Sequence, residues 1–324
     1  MLNLNLKIGQ EDIEQEATRK GYGQGVLDLA LEDERVVVLT ADLAESTQVL
    51  EFAKKYPQRF IECGVAEQNM MGIAAGLALY GKVPFVSSYA VFSPGRSWDQ
   101  LRVSVCYSRA NVKVAGAHTG VSVGPDGATH QALEDIAITR VLPNLTVVVP
   151  CDFVEARKAV VALGRMEGSA YFRVGRSKTP LITTVETPFV VGKAEVFREG
   201  DDVVVIGSGP VLYNALLTAI DLEKEGISCM VVNNHTIKPI DIQTIKSAAK
   251  KCGAVVTVEE HQIMAGCGSA VAEVLALHYP VPVEMVGMQN TFGESGKPEE
   301  LLAKYKMDKA AVVEAVRRVL KRKM

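Results

Sequence analysis

Residues 61–81 read IECGVAEQNMMGIAAGLALYG. A short β-branched run ends at Cys63 and Gly64, and from Ala66 to Tyr80 the text turns into a very apolar helix, with Glu67 standing at the change. A carboxyl group in that place is poorly hydrated. Desolvation favours its neutral form, so it is able to keep or share a proton at neutral pH. A first-turn Glu also serves as a helix cap or dipole partner, and the position alone leaves both readings open.

On either side of this stretch, strand-like runs alternate with helical patterns: VVVLT (36–40), RFIEC (59–63), VPFVSS (83–88), NVKVAGA (111–117), LTVVVP (145–150) and AYFRV (170–174). Amphipathic or apolar segments such as Phe153–Leu163 lie between them. Strands separated by helices predict a parallel sheet covered on both faces. At RSKTPLITTVETPFVVG (176–192) the helical period disappears and Thr and Pro accumulate, marking a boundary. Alternation then restarts with DVVVIG (202–207), SCMVVN (228–233), AVVTVEE (254–260) and VPVEMVG (281–287), followed by a terminal helix near Asp308–Lys321. The expected fold is α/β with two doubly wound domains and largely parallel sheets, over residues 1–178 and 193–324, joined by a linker at 179–192.

The 35 Lys and Arg against 38 Asp and Glu leave a formal charge of −3, which gives no electrostatic case for nucleic acid or an acidic membrane surface. With 48% apolar residues the chain can bury a sizeable core. The most apolar stretch, Met70–Leu79, is too short to span a bilayer. MLNLNLKIGQEDIEQ lacks the basic-then-apolar pattern of a signal peptide, so a cytoplasmic location is expected. Six scattered cysteines without a CxxC pair argue against zinc or a disulfide framework and read as free buried thiols; Cys63, close to Glu67, reads the same way.

Two further constellations carry candidate chemistry. In VAGAHTGVSVGPDGATHQALED (114–135) a strand runs into a Gly-rich loop with His118, Asp126 and His130. Loops at the carboxyl ends of parallel strands are where α/β folds place ligands. These side chains suit polyol recognition, phosphate binding or proton transfer; a metal is the rival reading, but the spacing offers no helical pair and no third ligand. Arg19, Asp42, Ser46 and Arg176 stand at other strand ends. If they converge, Arg and Ser suit a phosphate monoester. GSGPVL (207–212) lacks a third glycine, and Asn233 and Asn234 replace the acid that would hold a ribose, so dinucleotide binding is not expected there.

FIECGVAEQNMMGIAAGLALYGKVPFVSSYAVF (60–92), AGAHTGVSVGPDGATHQALEDIAITR (115–140) and VVVPCDFVEARKAV (147–160) closely resemble the C-terminal half of transketolase, a thiamine diphosphate enzyme. The likeness runs on through IKPID (237–241) and EEHQIMAGCGSAV (259–271) and covers nearly all of the chain from Ala17. It implies a pyrimidine-binding domain followed by a transketolase C-terminal domain. By this resemblance Glu67 hydrogen-bonds the coenzyme's pyrimidine N1′ and favours the tautomer that activates the thiazolium carbon. Tyr89 and Phe92 line the pyrimidine pocket, and Asp42 lies near the cofactor. His118 and Asp126 contact the sugar, His130 lies close to the reacting centre, and Arg19, Ser46 and Arg176, with His118, form the distal phosphate clamp, with Arg173 nearby as an alternative.

The resemblance implies transfer of a two-carbon ketol unit from a ketose phosphate such as xylulose 5-phosphate to an aldose phosphate such as ribose 5-phosphate. Full-length transketolase holds the diphosphate and its Mg²⁺ through an N-terminal GDG motif followed by Asn residues, and no GDG occurs in this chain. The sequence GDD at 200–202 falls inside the second α/β unit and does not replace it. The expectation is therefore a C-terminal subunit that needs a separate N-terminal subunit for the diphosphate and Mg²⁺. It would self-associate as a dimer or α2β2 assembly, with the helix Met70–Leu79 at or beneath the contact. The rivals are the β subunit of a 2-oxo acid dehydrogenase, a deoxyxylulose-phosphate synthase-like enzyme, and a noncatalytic subunit retaining the fold. Arg19, Ser46, His118, Asp126 and Arg176 together favour a sugar phosphate.

Overall fold

The structure is a computed structural model that describes residues 3–323; the outermost ends of the expected domains, residues 1, 2 and 324, lie outside it. Its strands in chain order are β1 (Gln15–Ala17), β2 (Val36–Thr40), β3 (Phe60–Glu62), β4 (Val83–Tyr89), β5 (Lys113–Ala117), β6 (Leu145–Val148) and β7 (Ser169–Arg173). They continue with β8 (Lys178–Pro180), β9 (Glu195–Arg198), β10 (Val203–Gly207), β11 (Cys229–Asn233), β12 (Thr236–Lys238), β13 (Val255–Gln262) and β14 (Val283–Met288).

Two main sheets form. The first has the order β12-β6-β7-β5-β4-β2-β3, and the second β14-β13-β10-β11-β9. Every pairing among β2 to β7 is parallel. All five residues of β2, β5 and β7 are buried, as expected when helices cover both faces and no side of the strand meets water. The helices Thr18–Glu32 and Phe153–Arg165 pack together on one face, while Glu67–Leu79 buries Met70, Met71, Ala74 and Ala75 on another part of the sheet.

The sheets are not wholly parallel. β9 pairs antiparallel with β11, and β12 runs antiparallel to β6. β12 belongs by sequence to the second α/β unit, yet it edges the first sheet, where Val149 donates a backbone hydrogen bond to His235 at 2.7 Å. Pro239 follows the strand, and a residue without an N–H suits the end of an edge strand. One apolar cluster accordingly runs from Leu39 and Val86 to Ile206 and Val232, without a break between the two units.

The Gly-rich start of the helix at 265–268 packs tightly. The Glu259 carboxylate accepts from the backbone N–H groups of Cys267 and Gly268 at 2.7 and 2.8 Å, filling the start of the helix Cys267–His278. Five of the six cysteines are buried and Cys63 is half-buried, all as free thiols. Among the described residues no helix is long and apolar enough to cross a membrane.

Candidate active site

The carboxyl ends of β2, β4, β5 and β7 lie side by side, so residues that follow these strands share one edge of the sheet. Asp42 follows β2, Tyr89 ends β4, His118 follows β5 and Arg176 follows β7. Arg19 comes from a different direction. It opens the helix Thr18–Glu32 just after β1, and pairing of Ala17 with Lys178 brings it to the same edge as Arg176. Asp42 and His118 have φ of 59° and 54°, a left-handed turn that side chains adopt at a cost of about 1 kcal/mol or more. Both residues leave their strands by bending sharply at this edge of the sheet.

Glu67 is the first residue of its helix and only 2% exposed. A buried carboxylate needs a counter-charge or a proton, and here Oε2 meets Nη1 of Arg96 at 2.9 Å. Oε1 accepts no hydrogen bond from the described residues. The Arg96 guanidinium also lies 4.7 Å from the centroid of Phe92, a cation–π distance. Phe92 itself stacks on Tyr89 with centroids 6.2 Å apart, and Tyr89 lies 3.8 Å from the imidazole of His118. His130 closes the group, its ring edge-on to Phe92 at 5.5 Å and to Tyr89 at 5.9 Å. A free carboxylate oxygen, an aromatic shelf and two imidazoles thus share one place.

The cationic end of the site is equally local. Arg176 Nη1 bonds the Val123 carbonyl at 2.9 Å and the Asp126 carboxylate at 3.0 Å. Arg19 Nη1 is held by the Ser46 carbonyl at 2.8 Å, so Ser46 enters through its backbone. Arg19 and Arg176 lie close enough to repel, and burial together with the Arg176 charge holds the Arg19 guanidinium below its usual range. The His118 ring is pushed down to about 3, chiefly by burial and then by Arg19, Arg176 and His130. It is therefore neutral. Its Nδ1 is buried without a hydrogen-bond partner, which is costly unless something outside the described chain meets it.

The structure brings together Glu67, Tyr89, Phe92, His118 and His130, and joins Arg19, Ser46, Asp126 and Arg176 to them. Asp42 sits at the rim, where its backbone N–H donates to Glu62 at 2.7 Å and its own side chain is exposed. Arg173 is not available to an anion. It is 5% exposed, bonds Asp135 at 2.8 and 3.1 Å, and also donates to the carbonyls of Ala132 and Glu260. Sequence reading passes over Arg96, since nothing in SPGRSWDQ (93–100) announces that its guanidinium reaches a carboxylate 29 residues earlier. Among the described residues no group of three or more His, Cys, Asp and Glu is arranged to hold a metal ion.

Comparison with known proteins follows the same outline. Residues 14–181 match the family model described as the transketolase pyrimidine binding domain, and residues 192–312 that of the transketolase C-terminal domain. A putative transketolase C-terminal section from Methanocaldococcus jannaschii is 41% identical over 307 residues, covering 94% of this chain and 96% of that protein. The 6-deoxy-6-sulfo-D-fructose transketolase subunit SqwH of a Clostridium species is 39% identical over 96% of this chain and 97% of its own length. A solved structure described as a split gene transketolase, inactive beta4 tetramer, superposes with a TM-score of 0.88 at 43% identity, covering 96% of this chain and all of that one.

Proposed function

The chain belongs to the transketolase family, and on that premise we propose that it is the C-terminal subunit of a two-chain, thiamine diphosphate-dependent ketol transferase. The observation that carries the reading is Glu67, buried, with one carboxylate oxygen fixed by Arg96, whose guanidinium lies over the Phe92 ring, and the other uncommitted. An aminopyrimidine ring asks for that combination: a carboxyl group at one ring nitrogen and an apolar, aromatic wall. The residues present fit the pyrimidine end of the coenzyme. When bound, the coenzyme supplies the electron sink that lets the bond beside a ketose carbonyl break.

The protein's part is binding, orientation and proton handling. Glu67 holds a proton between Oε1 and the ring nitrogen. Tyr89 and Phe92 fix the plane of the ring and exclude water, and Asp42 guards the rim. His130, edge-on to the shelf, is placed to exchange a proton with a substrate oxygen. Asp126 receives sugar hydroxyls, and neutral His118 offers its unpartnered Nδ1 to the substrate. Arg19 and Arg176, with Ser46 beside them, receive the distal anion. By its name the Clostridium relative acts on a sugar bearing a sulfonate in place of a phosphate. The same cationic corner suits either group, so donors such as xylulose 5-phosphate and acceptors such as ribose 5-phosphate are proposed as members of a class of anionic sugars.

The diphosphate and its Mg²⁺ fall to a separate N-terminal subunit with the GDG and Asn motif, a reading supported by the relatives described as a transketolase C-terminal section and a transketolase subunit, matched over 96% and 97% of their own lengths. Self-association, as a dimer or within an α2β2 complex, would use the outer side of the helix Glu67–Leu79. Gln68, Gly72 and Gly76 are exposed there, with Tyr80 87% exposed beyond its end. The test is an assay of ketol transfer between sugar phosphates, with thiamine diphosphate and Mg²⁺, by the chain alone and by the chain with the candidate N-terminal subunit. Activity only in the mixture is expected. Strong activity of the chain alone would overturn the need for a partner, and decarboxylation of a 2-oxo acid in place of ketol transfer would favour the dehydrogenase reading.

A further inference from the structure

The loop that carries the sugar-facing residues is held partly by its own unit and partly from the second one. After His118 the backbone passes through a tight turn at Val121–Asp126, and Ser122 within it is gripped from the second α/β unit. The Glu260 carboxylate, in β13, accepts the Ser122 backbone N–H at 2.6 Å on one oxygen and the Ser122 hydroxyl at 3.1 Å on the other. Ser177 donates to the carbonyl of the same residue at 2.7 Å. The next carbonyl, of Val123, and the Asp126 carboxylate are the two groups that hold Arg176. Glu260 is therefore connected to the Arg176 guanidinium through one residue of loop. The space between loop and carboxylate is closed, since Gly120 has φ +78° and a Cβ built on it would lie 2.2 Å from Glu260 Oε1.

A carboxylate is an expensive way to join two packed units. Glu260 is 6% exposed, and removing such a charge from water costs several kcal/mol unless its partners are well placed. Apolar residues would seal the same boundary at lower cost, as they do elsewhere along the apolar cluster shared by the two units. What the carboxylate adds is direction: two acceptors fix both the backbone and the side chain of Ser122, which a methyl group cannot do.

We propose that Glu260 is a positioning residue, by which the second α/β unit sets the Val121–Asp126 turn and, through it, the Arg176 guanidinium that receives the distal anion of the substrate. The proposal rests on the reading of the site given above, and it assigns to the second unit a part in substrate selection.

The test uses the reconstituted two-subunit enzyme and three variants, Glu260→Ala, Glu260→Gln and Ser122→Ala. Two ketol donors are compared, a ketose phosphate and a short donor with no distal anion. Glu260→Ala is expected to raise KM for the phosphorylated donor about tenfold or more, while KM for the short donor and both kcat values stay within about threefold. Glu260→Gln keeps an acceptor for the Ser122 N–H and is expected to restore most of the loss. Ser122→Ala, which removes only the hydroxyl contact, is expected to fall between them and serves if the alanine variant at 260 does not fold. Equal rises in KM for both donors, or none for either, would overturn the proposal.

A second measurement does not depend on turnover. Hydrogen–deuterium exchange of the 118–131 segment in the free chain is expected to accelerate in Glu260→Ala but not in Glu260→Gln, with weaker binding of inorganic phosphate in the alanine variant alone. Unchanged exchange and phosphate binding would overturn the proposal. If the wild-type complex transfers no ketol unit, the reading of function fails, and these two measurements still decide whether Glu260 sets the anion corner.

Discussion

The guanidinium of Arg96 stands 2.9 Å from the carboxylate of Glu67, one partner half exposed and the other buried. Because the Arg96 side chain keeps much of its water, the attraction adds only about 1 kcal/mol to the fold, but taking Arg96 away strands a buried carboxylate. The pair also acts on geometry: Oε2 is occupied, so Glu67 presents Oε1 to whatever ring enters beside Phe92. Arg96→Ala is expected to lower the melting temperature, since it leaves the buried Glu67 without its partner, and to weaken thiamine diphosphate binding in the assembled complex. Calorimetry on both species checks this. A large loss of stability with unchanged coenzyme affinity would make Arg96 a structural residue only.

Glu67→Gln keeps the volume and one acceptor but cannot hold an exchangeable proton at the ring nitrogen. The expected outcome is a fall in ketol-transfer kcat of about 10²–10⁴, the range usual for loss of a positioned acid–base group, with complex formation preserved. Steady-state kinetics with analytical ultracentrifugation distinguishes this from misassembly. An active Glu67→Gln complex would contradict the proposed role.

His118 stands as a neutral imidazole near Arg19 and Arg176. Its ring is held down to about 3, first by burial and then by Arg19, Arg176 and His130, against an ordinary value of about 6.5. A histidine depressed in the native state contributes stability that is fully present above the unfolded value and lost as pH falls through that window toward the native one. Imidazole signals of His118 in NMR spectra are therefore expected not to titrate between pH 8 and about pH 4.5 in the folded chain. A midpoint near 6 would mean that His118 adds a third positive charge to the site.

Much of this arrangement is written locally. Val36–Thr40 is an unbroken apolar run because both of its faces are covered, and Glu67 stands out because a carboxyl group opens so apolar a helix. Tyr89, His118 and Arg176 are legible because each follows or ends such a run. β12 is not, since three residues with a Thr and a Lys carry no strand pattern, and its partner β6 belongs to the other unit. Arg173 and Arg176 look alike in FRVGRSK, but Arg173 is buried within β7 and Arg176 lies beyond it. One signal does distinguish them: Tyr171 and Arg173 alternate onto the same face of β7, and both reach Asp135. The hold of Glu260 on Ser122 spans 138 residues, beyond any local pattern.

That distinction has an energetic consequence. Arg173 and Asp135 are 5% and 1% exposed, with the Tyr171 hydroxyl donating to the same carboxylate at 2.6 Å. Removing one member of such a pair leaves a buried charge without compensation, and Arg173→Met is expected to cost about 3–5 kcal/mol. The double variant Arg173→Met, Asp135→Asn is expected to recover part of that loss, a coupling that a double-mutant cycle in urea measures. Additive losses would show that the two side chains stabilise the joint independently.

Glu155 supplies the clearest dependence on pH. Burial and the neighbouring Asp152 push its carboxyl up to about 7, although its oxygens accept from the Cys151 N–H and from Asn233 at 2.7 Å each. Asn233 lies in the second unit, so this proton sits at the joint between the two. A carboxyl raised above its unfolded value of about 4.3 binds more protons in the native state. Its contribution is therefore fully present below that value and is lost as pH rises through the native one. Glu155→Gln replaces the titrating group with a neutral amide that still accepts one of the two hydrogen bonds. Relative to the parent chain, the variant is expected to gain stability from pH 4.5 to about pH 7 and to level off by pH 8, whatever its offset at a single pH. Melting temperatures of both proteins across that range give the difference directly, cancelling the titrating groups that do not interact with Glu155. A difference independent of pH would mean that Glu155 is charged in the native joint and that Asn233 and the Cys151 amide alone balance it.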